Sequence, residues 1–234
     1  GGSVYFEGNQ LEIRDGAEIS AEAFAEGDAG DIEVSVLNDI NLSDRAQIAT
    51  ATQAANSVAG NIVIEAGGQF TLIDSKVTTA AANSSGGNIS LNASHIRQFG
   101  NSDIRTNSAQ DGGNITLGAN TIVALGDSDI FASAVSGRGG DITLNTPAFF
   151  GEGYQPELSE SGRTEALENN ERVDLNATGQ VSSGNISTPN NSFIQNDLAE
   201  LPDNLVNAEQ AVGNSCTTRT AITNSLFCID QVVR

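Results

Sequence analysis

Gly87-Asn88-Ile89-Ser90-Leu91, followed by Gly113-Asn114-Ile115-Thr116-Leu117 and Gly140-Asp141-Ile142-Thr143-Leu144, is the pattern from which the fold can be read. Each copy is a glycine, an Asn or Asp, and a short alternation of aliphatic and polar residues. Gly30-Asp31-Ile32-Glu33-Val34 and Gly60-Asn61-Ile62-Val63-Ile64 extend the series upstream, and Gly2-Ser3-Val4-Tyr5-Phe6 is a weaker first copy. The second-position residues Ser3, Asp31, Asn61, Asn88, Asn114 and Asp141 are separated by 28, 30, 27, 26 and 27 residues. A repeat of this length is the mark of a solenoid, in which one unit buries its apolar face only by stacking on the next.

Working outward from the motif, a second apolar element follows at Leu11-Glu12-Ile13, Ile40-Asn41-Leu42, Phe70-Thr71-Leu72, Ile96 and Ile122. After a turn rich in Asp, Gly and Ser comes a third, at Ile19, Ile48, Val77, Ile104 and Ile130. Three period-2 runs per repeat, with no helix-period segment between them, predict three short strands per coil. The expected fold is all-β: a right-handed single-stranded parallel β-helix of six to seven coils. Ile32, Ile62, Ile89, Ile115 and Ile142 are expected as an inward ladder, each burial worth about 1.5–3 kcal/mol. Asp31, Asn61, Asn88, Asn114 and Asp141 form a turn column whose side chains can bond neighbouring backbone and tolerate left-handed geometry.

Composition agrees with a narrow core. Aromatics are 5% of the chain, with no Trp and no Met, so the interior must be built from Ile, Val, Leu and Ala. The formal net charge is −20, from 30 acidic and 10 basic residues, a surface that repels phosphate backbones and anionic bilayers. Nucleic acid is therefore excluded as a default partner. No apolar run approaches the ~20 residues of a membrane span. The chain opens within a repeat, which reads as a segment of a longer protein.

The pattern breaks after Leu144. Pro147-Ala148-Phe149-Phe150 leads into an acidic excursion over 151–172, containing Glu152, Glu157, Glu160, Glu165, Glu168 and Glu171, which is expected as an exposed insertion. Val173-Asp174-Leu175 and Gly184-Asn185-Ile186-Ser187 then supply a last, degenerate coil. The expected organisation is a β-helix over 1–188 and a cap over 189–234, because the open end of a solenoid is an aggregation-prone edge. Cys216 and Cys228 are the only cysteines and His95 the only histidine, too few ligands for a metal site. A Cys216–Cys228 disulfide stapling the cap is the favoured reading, pointing to an oxidising exterior, with two unpaired cysteines as the alternative.

The Asn-Ile-Thr-Leu and Asp-Ile-Thr-Leu strands resemble those of filamentous-haemagglutinin-type passengers. The ending is more specific. Asn145-Thr146-Pro147-Ala148-Phe149-Phe150-Gly151, Ser187-Thr188-Pro189, Phe193-Ile194-Gln195-Asn196, Leu201-Pro202-Asp203-Asn204-Leu205 and Asn214-Ser215-Cys216 resemble the C-terminal region of the family's large cyanobacterial members. The resemblance implies a parallel β-helix exported by two-partner secretion through an outer-membrane transporter. It also implies a secreted or cell-surface product with an adhesive role towards glycans or neighbouring cells. The family's N-terminal secretion domain is not found in this sequence.

Side chains able to do chemistry are few. Asp127 with Asp129, and Asp103 one coil earlier, could face a sugar as a glycosidase pair does; Asp44 and Asp74 occupy corresponding turns. Asp is equally a turn residue. The cations Arg45, Lys76, Arg97, Arg105 and Arg138 are sparse, and no mixed acidic and basic cluster stands out in the sequence. Gly137-Arg138-Gly139-Gly140-Asp141 is like a calcium-binding glycine repeat but does not recur in tandem, leaving at most weak calcium binding. Ser94-His95 are adjacent on a strand and lack a third triad member. The sequons at Asn88, Asn114 and Asn185 lie in the strand motif itself, and the hydroxyl column Ser90, Thr116, Thr143 is interrupted by Glu33 and Val63. No catalytic, cofactor-binding or metal residue is assigned. The expectation is a non-enzymatic spacer and binding surface, presented by loops at 49–59, 80–86, 106–112 and 151–172. The alternatives are a polysaccharide-active β-helix enzyme and an inert surface-layer element.

Overall fold

In the computed structural model, which describes residues 1–24, 26–55, 57–159 and 164–189, strands dominate and every sheet is parallel. The first coil is β1 (Val4–Gly8), β2 (Leu11–Ile13) and β3 (Glu18–Ala23); the second is β4 (Ile32–Val36), β5 (Ile40–Ser43) and β6 (Gln47–Thr52). The third holds β7 (Ile62–Ala66), β8 (Gln69–Ile73) and β9 (Lys76–Ala81), and the fourth β10 (Ile89–Asn92), β11 (His95–Phe99) and β12 (Asp103–Ser108). The fifth is β13 (Ile115–Gly118), β14 (Thr121–Ala124) and β15 (Ile130–Ala134). The sixth runs through β16 (Ile142–Asn145), β17 (Phe149–Gly151), the short helices α1 (Pro156–Ser159) and α2 (Thr164–Leu167), and β18 (Leu175–Asn176). β19 (Ile186–Ser187) begins a seventh.

Each sheet collects the same strand from successive coils. The first sheet orders β1-β4-β7-β10-β13-β16-β19, the second β17-β14-β11-β8-β5-β2, and the third β18-β15-β12-β9-β6-β3. This is a parallel β-helix, the architecture expected from the three period-2 runs. A coil joining parallel neighbours is the crossover that strand twist makes right-handed. Register puts Ile32 on Ile62, Ile62 on Ile89, Ile89 on Ile115 and Ile115 on Ile142. All five are at most 1% exposed, with Val34, Ile64, Leu91 and Leu117 in a second buried row. The third strand runs further than expected, to Thr52, Ala81 and Ser108, so those loops begin later than 49, 80 and 106.

Inside the third sheet the interior is polar at one row. Thr50, Thr79 and Thr106 are fully buried and donate from Oγ1 to the carbonyls of Gly60, Gly87 and Gly113 at 2.6, 2.9 and 2.9 Å. Their hydrogen bonds satisfy carbonyls that water cannot reach. The glycines stack directly on one another. A Cβ on Gly60, Gly87, Gly113 or Gly140 would lie 1.9, 2.0, 1.8 or 2.0 Å from the glycine carbonyl oxygen of the preceding coil. None of them has φ in the left-handed region. They are glycines because two backbones touch there, not because the turn demands it.

The Asp31, Asn61, Asn88, Asn114, Asp141 column also differs from expectation in its backbone. None of these residues is left-handed; positive φ falls instead on Asp15, Asp44, Arg45 and Asp74 in the turn before the third strand. The column acts between coils. Asp31, Asn61, Asn88, Asn114 and Asp141 each accept, through Oδ1, the backbone N–H of the next coil's member at 2.7–3.0 Å, ending on Asn185. Asn61 and Asn88 also donate from Nδ2 to the preceding side chain, at 3.1 and 3.0 Å. Asn88→Ala is expected to lower stability by about 0.5–1.5 kcal/mol, since the Asn114 N–H loses its acceptor near solvent. Urea unfolding checks this; an unchanged midpoint would show that water replaces the ladder without cost.

The cap at 189–234 and the Cys216–Cys228 pair fall, from residue 190 onward, outside the described residues.

Candidate functional site

The excursion over 151–172 leaves the second sheet after β17 and returns to the third at β18. Residues 152, 153, 155–157 and 166 are exposed, as expected of an insertion, whereas the returning limb keeps 169 and 171 exposed and turns 167 and 173 inward. Leu167 is 3% exposed and Val173 fully buried. Asp127 receives this limb: its carboxylate accepts the backbone N–H groups of Asn169, Asn170 and Glu171 at 2.8, 2.8 and 3.0 Å. Asn169 and Glu171 have φ of 58° and 60°, so the limb curls its donors around one anion.

Beneath it lies a cluster that brings together Asp103, Asp127 and Asp129, the carboxylates expected on neighbouring coils, and joins to them the cations and limb residues that the sequence did not connect. Lys76 and Asp103 are register partners at the starts of β9 and β12, and Asp129 and Asp174 occupy the same position in the next two coils. The Asp103 carboxylate takes Lys76 Nζ at 2.6 Å and Arg105 Nη1 at 3.3 Å. Arg105 Nη2 reaches Glu168 of the limb at 2.5 Å, and its guanidinium sits 5.7 Å from the centre of the Phe131 ring. Phe131 points away from the interior, yet it is fully buried between its register partners Arg105 and Asn176. Asp174 accepts Arg172 Nε at 3.1 Å and Asn170 Nδ2 at 2.6 Å, and its own N–H donates to Asp129 Oδ1 at 2.9 Å.

Asp129 is 1% exposed. Burial pushes its carboxyl up to about 8; Asp103, Asp127 and Asp174 add to the rise, and the Asp174 N–H opposes it. A carboxyl neutral at pH 7, beside charged residues of both signs, has the electronic character of a general acid. Geometry limits what it can act on. The recess bounded by Lys76, Asn101, Asp103, Asp127, Asp129 and Glu168 is about 100 Å³, room for only a few waters at about 30 Å³ each. Its carboxylates are spent on the limb and on Lys76 and Arg105. The arrangement works as a latch for the insertion.

The other candidates lie apart from the latch. Asp44 and Asp74 adopt φ of 56° and 49°, and Asp74 accepts the Asn101 N–H at 3.0 Å, the turn role expected of them. His95 Nδ1 pairs with Thr121 Oγ1 at 2.7 Å, while Ser94 Oγ donates to the Gly67 carbonyl, so the two face different partners. Arg138 donates its backbone N–H to Asp111 at 2.9 Å. Among the described residues no group of three or more His, Cys, Asp and Glu is arranged to hold a metal, and no helix is long and apolar enough to cross a membrane.

A signal for the latch was present. Asp103-Ile104-Arg105, Asp129-Ile130-Phe131 and Asp174-Leu175-Asn176 share an Asp-aliphatic start. The insertion stretches the last interval to 45 residues, 129 to 174, which hides it from a search at the repeat period. Comparison with protein-family models, curated proteins and solved structures finds no match for this chain.

Proposed function

We propose that this chain is a non-catalytic segment of a secreted, surface-exposed adhesin of the filamentous-haemagglutinin type, a stiff spacer whose lateral loops offer binding surface. The observation that carries the reading is the unbroken stack: an aliphatic ladder inside, a glycine contact column and an Asn/Asp ladder outside, all in register from β1 to β19. Such a stack has one backbone hydrogen-bonding direction and a core continuous along it, which resists bending. The mixed-charge cluster fits this role, because it fastens the largest loop to the rod. On this reading the partners are an outer-membrane two-partner-secretion transporter, acting through other parts of the parent protein, and glycans of a neighbouring surface. The polysaccharide-active alternative draws on the raised Asp129 carboxyl; the latch's enclosure by the limb favours the spacer.

An antibody raised against the chain tests the proposal on intact, unpermeabilised source cells and on their medium. Labelling of intact cells or recovery from the medium is expected. Signal only after lysis would remove the surface role.

A further inference from the structure

We propose that the outer face of the third sheet, beside the latched limb, is a docking cleft for a neutral oligosaccharide. This rests on the reading of the solenoid as a presenter of binding surface and names where and what it binds. The cleft holds about 680 Å³ and is lined by Arg105, Asn107, Ser133, Glu168, Thr178 and Gln180, within the ~300–1,000 Å³ of small-ligand sites. Its floor is the outward pair Asn107 on Ser133, with Arg105 at the edge over the covered Phe131. Glu168, carried on the docked limb and fixed by Arg105, forms a wall.

The chemistry of that floor selects the ligand. Among the described residues, no hydrogen bond engages the side chains of Asn107, Ser133 or Gln180. They leave two amides and a hydroxyl, neutral donors and acceptors on a rigid surface, which match the hydroxyls of a sugar. The cation at the cleft is already paired: Arg105 bonds Asp103 and Glu168. A phosphate, sulfate or uronate would therefore meet Glu168 without a free positive partner, and the net charge of −20 adds repulsion. Ala134 and Val135, the latter 78% exposed, are the apolar side chains of the lining, and they are outnumbered by its polar ones, which suits the C–H and O–H faces of a sugar better than a lipid tail. Strand addition is not available on a sheet face, whose backbone groups are used between coils. Phe131 is covered, so binding depends on hydrogen bonding without a stacking platform and is expected to be of micromolar to millimolar strength.

The experiment is titration of the full chain with cellohexaose, xylohexaose, maltohexaose and, separately, trigalacturonate, followed by saturation-transfer NMR and calorimetry. Saturable binding of at least one neutral hexasaccharide and none of trigalacturonate is expected. Ser133→Trp, which fills the cleft, and Asn107→Ala should each weaken it at least 10-fold, while Ser90→Trp on the first sheet leaves it unchanged. Circular dichroism melts confirm that each variant is folded. The proposal is overturned by the absence of binding to every neutral probe, by preferential binding of trigalacturonate, or by binding indifferent to both cleft variants. Surface labelling of cells with no sugar binding removes the cleft and keeps the spacer; sugar binding with labelling only after lysis does the reverse.

Discussion

Gly113→Ala is expected to destabilise the solenoid by about 3 kcal/mol or more, the range of forced overpacking in a core. The added methyl would sit 1.8 Å from the Gly87 carbonyl oxygen, 2.6 Å from its carbon and 3.3 Å from Asn88 N, all backbone atoms. No side chain can swing away to make room. The Gly87 carbonyl is itself held by Thr79 Oγ1 at 2.9 Å, and the Asn114 N–H is held by Asn88. Relief requires pulling coils apart against ladders spaced at about 4.8 Å. For a chain of this size the change amounts to a drop in melting temperature of about 6–12 °C. Gly2→Ala is the control, since nothing lies within 4 Å of a Cβ there. Thermal melts of the two variants beside the parent decide the matter; a Gly113→Ala melt within a degree or two of the parent would mean that the coils are looser than their register implies.

The second large effect is a pH dependence centred on Asp129. Its folded carboxyl titrates at about 8 against 3.8 for an ordinary Asp. Between those values the folded state holds a proton that the unfolded state has released, so stability falls as pH rises. The loss is up to about 1.4 kcal/mol per pH unit, ending near pH 8. This opposes the usual behaviour of paired carboxylates, which gain stability over the lower part of that window. The groups facing Asp129 are Lys76, Asp103 and Arg105 on the third sheet, Asp127 in the preceding turn, and Glu168, Arg172 and Asp174 on the returning limb. Asp129→Asn keeps an oxygen for the Asp174 N–H and removes the charge. The variant should be more stable than the parent at pH 8 by on the order of 3 kcal/mol, with the gap closing towards pH 4. Urea titrations at pH 5, 6.5 and 8 supply the comparison, and a constant gap would show that Asp129 is not the titrating group. A fluorophore on the exposed outgoing limb would report whether the insertion loosens first, as expected if the latch ionises before the core yields.

Much of the coil was legible in the residues because its causes are local. Alternation of Ile and polar residues over five positions selects a strand and a face, and its return every 26 to 30 residues selects the stack. Ile32, Ile62, Ile89, Ile115 and Ile142 follow from that pattern alone. The latch did not, because its members come from two kinds of neighbour. Lys76, Asp103 and Asp129 meet through the repeat, but Glu168, Arg172 and Asp174 meet them through an insertion of irregular length. Phe131 was equally hidden: on a strand its outward position reads as solvent-facing, and it is covered by its register neighbours, with the Arg105 guanidinium held over its ring by Asp103 and Glu168.

The sequence by itself determined which residues point inward, how many strands make a coil and that coils stack, because side-chain alternation and turn chemistry are carried by consecutive residues. The tertiary structure alone decided what lies across each gap. Stacking brings residues a full coil apart to hydrogen-bonding distance, and this turns Gly87 and Gly113 into a backbone contact and Asn88 into a link between coils. It also gives Asp129 its neutral carboxyl, since desolvation depends on the atoms that surround a group, and here those come from neighbouring coils and from Asp174, 45 residues away in the chain.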